Sequence, residues 1–481
     1  MIRRRLLPGE GRLTGFAVAT VVALAGCLHR ADFAPPPPPV PLEAPRATAL
    51  PEPPQGPLSA TDAIRLALAR SPDVRSSLAR IAQADAAASA ANAAYLPQLS
   101  AEINYLRSNT PSAYLFTRID ARRLPANVNF NDPGDFSNLG GALGLRWNLS
   151  NGGRDQLGIW AAAAASEGAA ASADVVRNTL AVAVAGVWLD ARAAATGLLA
   201  DDATIRALES QTDATRVQVN GGAALRTDLL SLEVRLAEAR TARLHTDTSE
   251  RLALAALREL LALPPEMDLS ISDAGPVIDP LPADRVAALA RAYATRPEGT
   301  VARRAVEQAK LELAAAGRAW LPRLDVQSRL SAEAAEAHLP PVDPNWLVGV
   351  ALSINLFDGG IRRANVQRAL AALDLVTEAD RATLVHIARE VETAYLRLDE
   401  TRARLAMVSQ ALALAQETLG LVTTQYRGGA VTVTRYLEAE GALARTRAAH
   451  VQSALDVARA EVEAARAIGA LATGPMAGGS T

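Results

Sequence analysis

The side chains best suited to covalent chemistry are scarce in this sequence, and their spacing does not let them cooperate. Lys310 is the only lysine in 481 residues, and no glycine precedes it, so a phosphate-cradling P-loop is excluded. The five histidines, His29, His245, His338, His386 and His450, fall at no metal-ligand spacing, and no His-Glu-x-x-His helix occurs. A Gly-x-Ser-x-Gly elbow, which would present a nucleophilic serine on a strand-to-helix turn, is missing as well. His386 and His450 sit on expected helix faces as solvated or half-buried residues. An enzyme, a metal and a non-covalent cofactor are therefore not expected. The one thiol, Cys27, has no second cysteine with which to form an intramolecular disulfide.

Cys27 has another chemistry open to it. Arg3, Arg4, Arg5 and Arg12 precede an apolar run from Phe16 to Ala25, too short to span a bilayer and right for a secretory signal. The run ends in Leu24-Ala25-Gly26-Cys27. Small residues before a lone cysteine resemble a bacterial lipobox, in which residues 1–26 are cut away and the thiol is lipidated. Each buried acyl CH₂ contributes about 0.8 kcal/mol, so several chains anchor firmly. Leu28 stands where aspartate would retain a lipoprotein at the inner membrane, which points to the outer membrane. Residues 27–57 then form a spacer, because the consecutive prolines Pro35 to Pro39 impose extended polyproline II at about 3.1 Å per residue.

The rest of the chain says the same thing twice. Tyr95-Leu96-Pro97-Gln98-Leu99 returns as Trp320-Leu321-Pro322-Arg323-Leu324, and Ser71-Pro72-Asp73 as Arg296-Pro297-Glu298, at an offset of 225 (322 − 97). Asn148-Leu149-Ser150-Asn151-Gly152-Gly153 returns as Asn355-Leu356-Phe357-Asp358-Gly359-Gly360 at an offset of 207 (355 − 148). Asn220-Gly221-Gly222-Ala223 returns as Arg427-Gly428-Gly429-Ala430 at that same second offset. One loop alone therefore differs, by 18 residues (225 − 207). A unit of about 200 residues is too long for a solenoid repeat. Each half, 58–265 and 282–473, is instead read as a subdomain packed on its pseudo-twin, with 266–281 as linker and 474–481 as a tail.

Periodicity supplies the elements. Ser59 or Thr61 caps a helix that runs through Ile64, Leu68, Val74, Leu78 and Ile81 into an alanine-rich stretch ending near Tyr95, where Pro97 stops it. Leu99, Ala101, Ile103 and Tyr105 then alternate with polar residues. After a loop rich in proline and asparagine from Asn109 to about Asn138, Leu143, Leu145, Trp147 and Leu149 do the same. The second half repeats this with Leu324, Val326 and Leu330, then Val348, Val350, Leu352, Ile354 and Leu356. Four strands of about nine or ten residues result, the length at which a tilted strand crosses a membrane with apolar side chains outward and polar ones inward. Trp147 and Trp346 are placed at the interfaces. Two runs without proline, Trp160 to Val219 and Ile361 to Tyr426, predict helices of about 90 Å at 1.5 Å per residue. In the second, Leu384, Ile387, Val391, Ala394, Leu398, Thr401, Leu405, Val408, Leu412, Ala415, Leu419 and Val422 recur three and four apart, a seam for a coiled partner. The partner is a returning helix beyond Gly428-Gly429, from about Thr434 to Leu471. The first hairpin turns at Gly221-Gly222 and returns from Asp228 to about Leu261, with Asp201 and Thr212 intruding in its seam.

Beyond Cys27 no stretch of 18 or more consecutive apolar residues is present, so strands must do any crossing. Four strands cannot close a barrel, and an open edge in lipid leaves backbone groups unpaired at several kcal/mol each. Two copies give eight strands and a filled interior, whereas three give twelve and begin to leave a passage. A formal net charge of −2 argues against nucleic acid, which favours a basic surface.

The layout Leu58-Ser59-Ala60-Thr61-Asp62-Ala63, the helix-to-strand corners at Pro97 and Pro322, the strand-to-helix corners at Gly152-Gly153 and Gly359-Gly360, and the tips at Gly221-Gly222 and Gly428-Gly429 resemble the TolC-like outer-membrane efflux factors. With its lipobox the chain is similar to the subset that serves resistance-nodulation-division pumps. The resemblance implies a mainly α fold with membrane β: two repeats, each a β-hairpin plus a long helical hairpin. It implies a homotrimer with a twelve-stranded barrel in the outer membrane of a Gram-negative bacterium and an α-helical tunnel in the periplasm. A periplasmic adaptor and an inner-membrane transporter, proton-driven in that subset, are the implied partners, and outer-membrane lipid surrounds the barrel. The family's gate positions fall on Asp228, Tyr426, Arg435 and Glu438. Arg435 departs from the family's usual aspartate, so the implied ring carries mixed charge. Type I protein secretion is the neighbouring function, and a lipid-anchored periplasmic coiled-coil scaffold is the alternative of another class.

Overall fold

The computed structural model describes residues 56–335 and 344–470. The signal, Cys27, the spacer up to residue 55 and the tail expected at 474–481 lie outside the described residues.

Among the described residues two helices come first rather than the single one expected, α1 (Ala60–Arg70) and α2 (Pro72–Asn92). Ser71 is the break. The residue before a proline is pushed out of the α region, and Ser71 sits at ψ 129° while its side chain accepts a hydrogen bond from the Asp73 N–H. After a tight turn at Ala93–Tyr95 and Pro97 comes β1 (Gln98–Ser108). The expected loop after it is partly a helix, α3 (Pro111–Asp120), and the next strand begins early, as β2 (Phe136–Ser150). Proline at the first helical position is what the loop reading missed. The long hairpin follows, α4 (Arg154–Asn220) and α5 (Arg226–Leu260). The second half repeats the order with α6 (Arg285–Thr295), α7 (Pro297–Gly317), β3 (Arg323–Ala335), β4 (Pro344–Ser353), α8 (Ile361–Arg427) and α9 (Val433–Ala467). At 67 residues each, α4 and α8 reach about 100 Å. Both contain an 18-residue window apolar enough, by composition, to cross a membrane. The sequence reading, which counted only uninterrupted apolar runs, overlooked these alanine-rich windows.

The repeat is structural as well as sequential. The strands form one antiparallel sheet in the order β1-β2-β3-β4, and the Gln98↔Arg146 pairing of the first hairpin maps through the two offsets onto Arg323↔Ser353 of the second. Trp188 Nε1 donates to the Leu58 carbonyl at 3.0 Å, and its twin Tyr395 donates from its hydroxyl to the Pro282 carbonyl at 2.9 Å. Arg70 donates to the carbonyls of Leu261 and Ala262 past the end of α5, and its twin Thr295 donates to the Ile468 carbonyl past α9. In each half the short helices cap the orphan carbonyls of the returning long helix.

Two cores form, the first joined by Leu455 and Val462 of α9 and the second built from the second half. Trp188 is fully buried with Leu58, Ile64, Leu257 and Leu261; Tyr395 packs with Ile387, Val391, Leu398 and Ala464. Every predicted seam position of α8 from Leu384 to Val422 is buried or half-buried. Across the four strands, whole rows share a face. Ala101–Leu143–Leu330–Trp346 and Leu99–Leu145–Ser328–Val348 lie on one side, and Glu102–Ala142–Ser331–Asn345 and Gln98–Arg146–Gln327–Gly349 on the other. The first side is apolar yet largely exposed, with Leu99, Ile103, Val348, Val350 and Leu352 all more than three-fifths accessible.

Candidate gate at the helix tips

Both hairpin tips are built by the same local chemistry. Each long helix ends with its last carbonyls taken back by the turn: the Ala223 N–H donates to the Gln218 carbonyl at 2.7 Å, and the Ala430 N–H to the Gln425 carbonyl at 2.8 Å. That closure needs a left-handed residue, supplied by Gly222 at φ 75° and Gly429 at φ 73°. Gly221 and Gly428 keep right-handed backbone, so only the second glycine of each pair is demanded by conformation. At the strand-to-helix corners both glycines are demanded, since Gly152, Gly153, Gly359 and Gly360 all have positive φ.

The second tip is closed by aromatic packing. Tyr426, three residues before Gly429, stacks on Tyr436 of α9 with ring centroids 5.3 Å apart and planes 22° from parallel. Tyr436 is buried with Val422, Val433 and Ala439 from its own hairpin, and with Leu232 from α5. Burial, helped by the nearby Glu440 and Tyr426, pushes the Tyr436 hydroxyl up to about 12, so it stays a neutral donor. Leu232 lies one turn beyond Asp228, and through it α5 joins the second tip.

Of the four predicted gate residues, two are joined directly within a subunit. Arg435 and Glu438 pair with each other at 3.2 Å, one helical turn apart, and both are about three-fifths exposed. Asp228 is half-buried in the first turn of α5, where a carboxylate suits the helix N-terminus. Among the described residues no hydrogen bond or ion pair joins it to Tyr426, Arg435 or Glu438.

Above the tip lies a residue that the sequence reading passed over. Glu440 is 5% exposed and lines a cavity of about 530 Å³ between α4, α5 and α9, with Asp201, Arg235, His245, Arg447 and Arg459. Burial raises its carboxyl above the ordinary value of 4.5, and Arg447 and Arg235 only partly oppose this. Its twin Glu233 is half-exposed and bonded to Arg216 at 3.2 Å. The position equivalent to Arg216 in the second half is Thr423, so the bond that Glu233 makes has no counterpart at Glu440. The duplication already pairs Glu233 with Glu440, and the change from Arg216 to Thr423 is the signal that singles Glu440 out.

A second charged group holds the junction of α6, α7, α8 and α9. Arg296, 4% exposed, binds Glu298 at 2.7 Å and Glu390, which also accepts from Arg466 at 3.1 Å. Burial pushes the Glu390 carboxyl up, but the bonds and charge of Arg296, with Arg466, outweigh it and hold the group below the usual carboxylate range. Among the described residues no group of three acidic, histidine or cysteine side chains is placed to hold a metal.

Most of the chain, though not all of it, matches known proteins. The family described as outer membrane efflux protein covers residues 63–263 and 288–470. The chain is 27% identical to the pyoverdine export outer membrane protein OpmQ of Pseudomonas aeruginosa over 174 residues, 36% of this chain and 37% of that one. It is 29% identical to the outer membrane protein OprJ of the same organism over 148 residues, 30% and 31% of the two chains. The matched segments thus span about a third of the length of these curated relatives. The Neisseria gonorrhoeae MtrE outer membrane channel in its open state has the same fold, at a TM-score of 0.73 and 20% identity, over 85% of this chain and 88% of that one.

Proposed function

This chain belongs to the outer membrane efflux protein family, and we propose that it is the outer-membrane channel of a tripartite efflux system, a passive conduit for small molecules. The observation that carries the reading is the sheet, which is apolar on one face and open at both edges, β1 and β4. In lipid those edges must pair, and three copies close twelve strands around a lumen lined by Gln98, Glu102, Arg146, Gln327 and Arg329. Below it, three pairs of hairpins extend the wall by about 100 Å into the periplasm. A lipid on Cys27 anchors each copy to the same membrane.

The conduit holds no energy source of its own, so an inner-membrane transporter, driven by protons, and a periplasmic adaptor supply cargo at the tips. The similarity to a pyoverdine export protein supports small molecules as cargo over secreted proteins. Asp228, Tyr426, Arg435 and Glu438 are assigned to the periplasmic gate, where rings of charge select at close range. Photo-crosslinkers placed at Ala223 and Ala430 in living cells test the assembly: capture of a membrane-anchored adaptor supports it, and tips that capture only copies of the chain itself contradict it. Neutralising Asp228 together with Glu438 tests the gate, with higher single-channel conductance expected; unchanged conductance and ion selectivity remove these residues from it.

A further inference from the structure

The one place where the repeats differ in length is not a slack loop. It holds α3, and α3 folds back over the polar face of the sheet. Asn345, in the row with Glu102 and Ser331, donates from Nδ2 to the Asp120 carbonyl at 2.8 Å. Phe136, on that same face of β2, meets Tyr114 edge to face at 5.3 Å, and the Arg118 guanidinium lies 5.1 Å from the Tyr114 ring centre. Phe136, Asn138 and Gly140 are buried at this end, whereas Arg146, further along the same face, is exposed. The cover is one-sided. Tyr114, Arg118 and Ala121 turn to the sheet, while Phe116 and Ile119, one turn apart on the other side, are 63% and 46% exposed.

Two large apolar side chains held out by a packed helix above a polar face gain by being covered. If the polar face lines a three-fold lumen, what stands opposite each α3 is the α3 of the other two copies. We propose that Phe116 and Ile119 of three copies meet on the axis as an apolar constriction at the end of the barrel opposite the helix tips, a second gate in series with the first. This rests on the trimeric-barrel reading. Water and hydrated solutes are shed by a narrow apolar ring, so entry from outside is blocked. An amphipathic solute arriving from within replaces the apolar contacts as it leaves.

Two measurements on the full-length chain test this. Phe116→Cys should give disulfide-linked dimers within the assembly on mild oxidation, with the unsubstituted chain as the blank for Cys27 and Leu143→Cys, on the apolar face, staying unlinked. Gln327→Cys, on the polar face beyond α3, should react with a bulky membrane-impermeant maleimide added outside intact cells several-fold faster once Phe116→Ser and Ile119→Ser are also present. The native mass of each variant is read alongside. A trimer with no link at residue 116, or with an unchanged labelling rate at residue 327, overturns the constriction and leaves the conduit standing. A solitary chain overturns both.

Discussion

The two long hairpins are one design held together in two ways. In the seam of α4 and α5, Thr212 and Thr215 are buried, Thr246 donates to Asp201 at 2.7 Å and Arg243 pairs with Asp202 at 2.5 Å. The equivalents of Asp201, Thr212 and Thr215 in α8 are the apolar Val408, Leu419 and Val422, and both hairpins carry exposed charge pairs between their helices, Arg240 with Glu209 in the first and Arg397 with Glu463 and Arg402 with Glu461 in the second. An apolar seam gains from burial at any small shift of register, whereas a polar seam gains only where its donors and acceptors meet. The second hairpin is therefore the clamp, and the first is the more easily hydrated partner.

The comparison breaks first at Leu398. Leu398→Ala in the clamp should cost about 2–5 kcal/mol, a large drop in unfolding temperature, while Thr212→Ala, which loses a bond to its own helix at Leu208, should cost about 1 kcal/mol. Equal losses would erase the distinction between the seams. Glu390→Gln comes next, at about 2–3 kcal/mol, because Arg296 stays buried and keeps only Glu298. The Glu390 carboxyl is depressed on folding, so its contribution is present above the ordinary value of 4.5 and fades as pH falls through the folded value. The variant should thus approach the parent only in strong acid, as a thermal melt against pH will tell.

The corners give a finer contrast. A methyl on Gly152 would stand 2.5 Å from the Leu321 side chain, while Gly359 has open space around it. Gly359→Ala should cost about 1 kcal/mol for its left-handed backbone alone, and Gly152→Ala clearly more; the reverse order would contradict the corner geometry. The smallest effect separates Glu440 from Glu233. The raised Glu440 carboxyl contributes fully below its ordinary value, and that contribution is lost as pH rises through the folded value. Glu440→Gln should therefore match the parent near pH 4 and melt slightly higher near pH 7.5, whereas Glu233→Gln, at an exposed pair, should shift stability by about 1 kcal/mol or less.

Much of this was legible because duplication and periodicity are properties of the residues alone. The α8 seam, the glycine tips and the alternating strands were read from spacing; the seam and tips lie where they were placed, whereas β2 begins earlier than expected and β4 ends at Ser353, short of the expected Ile354 and Leu356. Three things were not. The break at Ser71 depends on a single proline within a helical pattern. α3 carries ten residues with no twin, so nothing in the other half signalled a helix. Burial of Glu440 and the stacking of Tyr426 on Tyr436 depend on how α5 and α9 meet across the chain, which no single period records. Asp228, Tyr426, Arg435 and Glu438 came from family resemblance, and among them the described residues show one direct bond, Arg435 with Glu438.

The central claim is that each subunit is a third of a closed wall. The junction of β2 with β3 inside the chain provides the template for the junction between copies. Leu143 faces Leu330 there, and the same offsets carry this pair to Val350 on β4 and Tyr105 on β1 of the next copy, both exposed on the open edges. Oxidising a chain with Tyr105→Cys and Val350→Cys in native membranes, then separating it under denaturing conditions, reads pairing and number together. A covalent ladder that stops at three is the predicted result. Unlinked single chains, or a ladder that ends at two or runs past three, would contradict it.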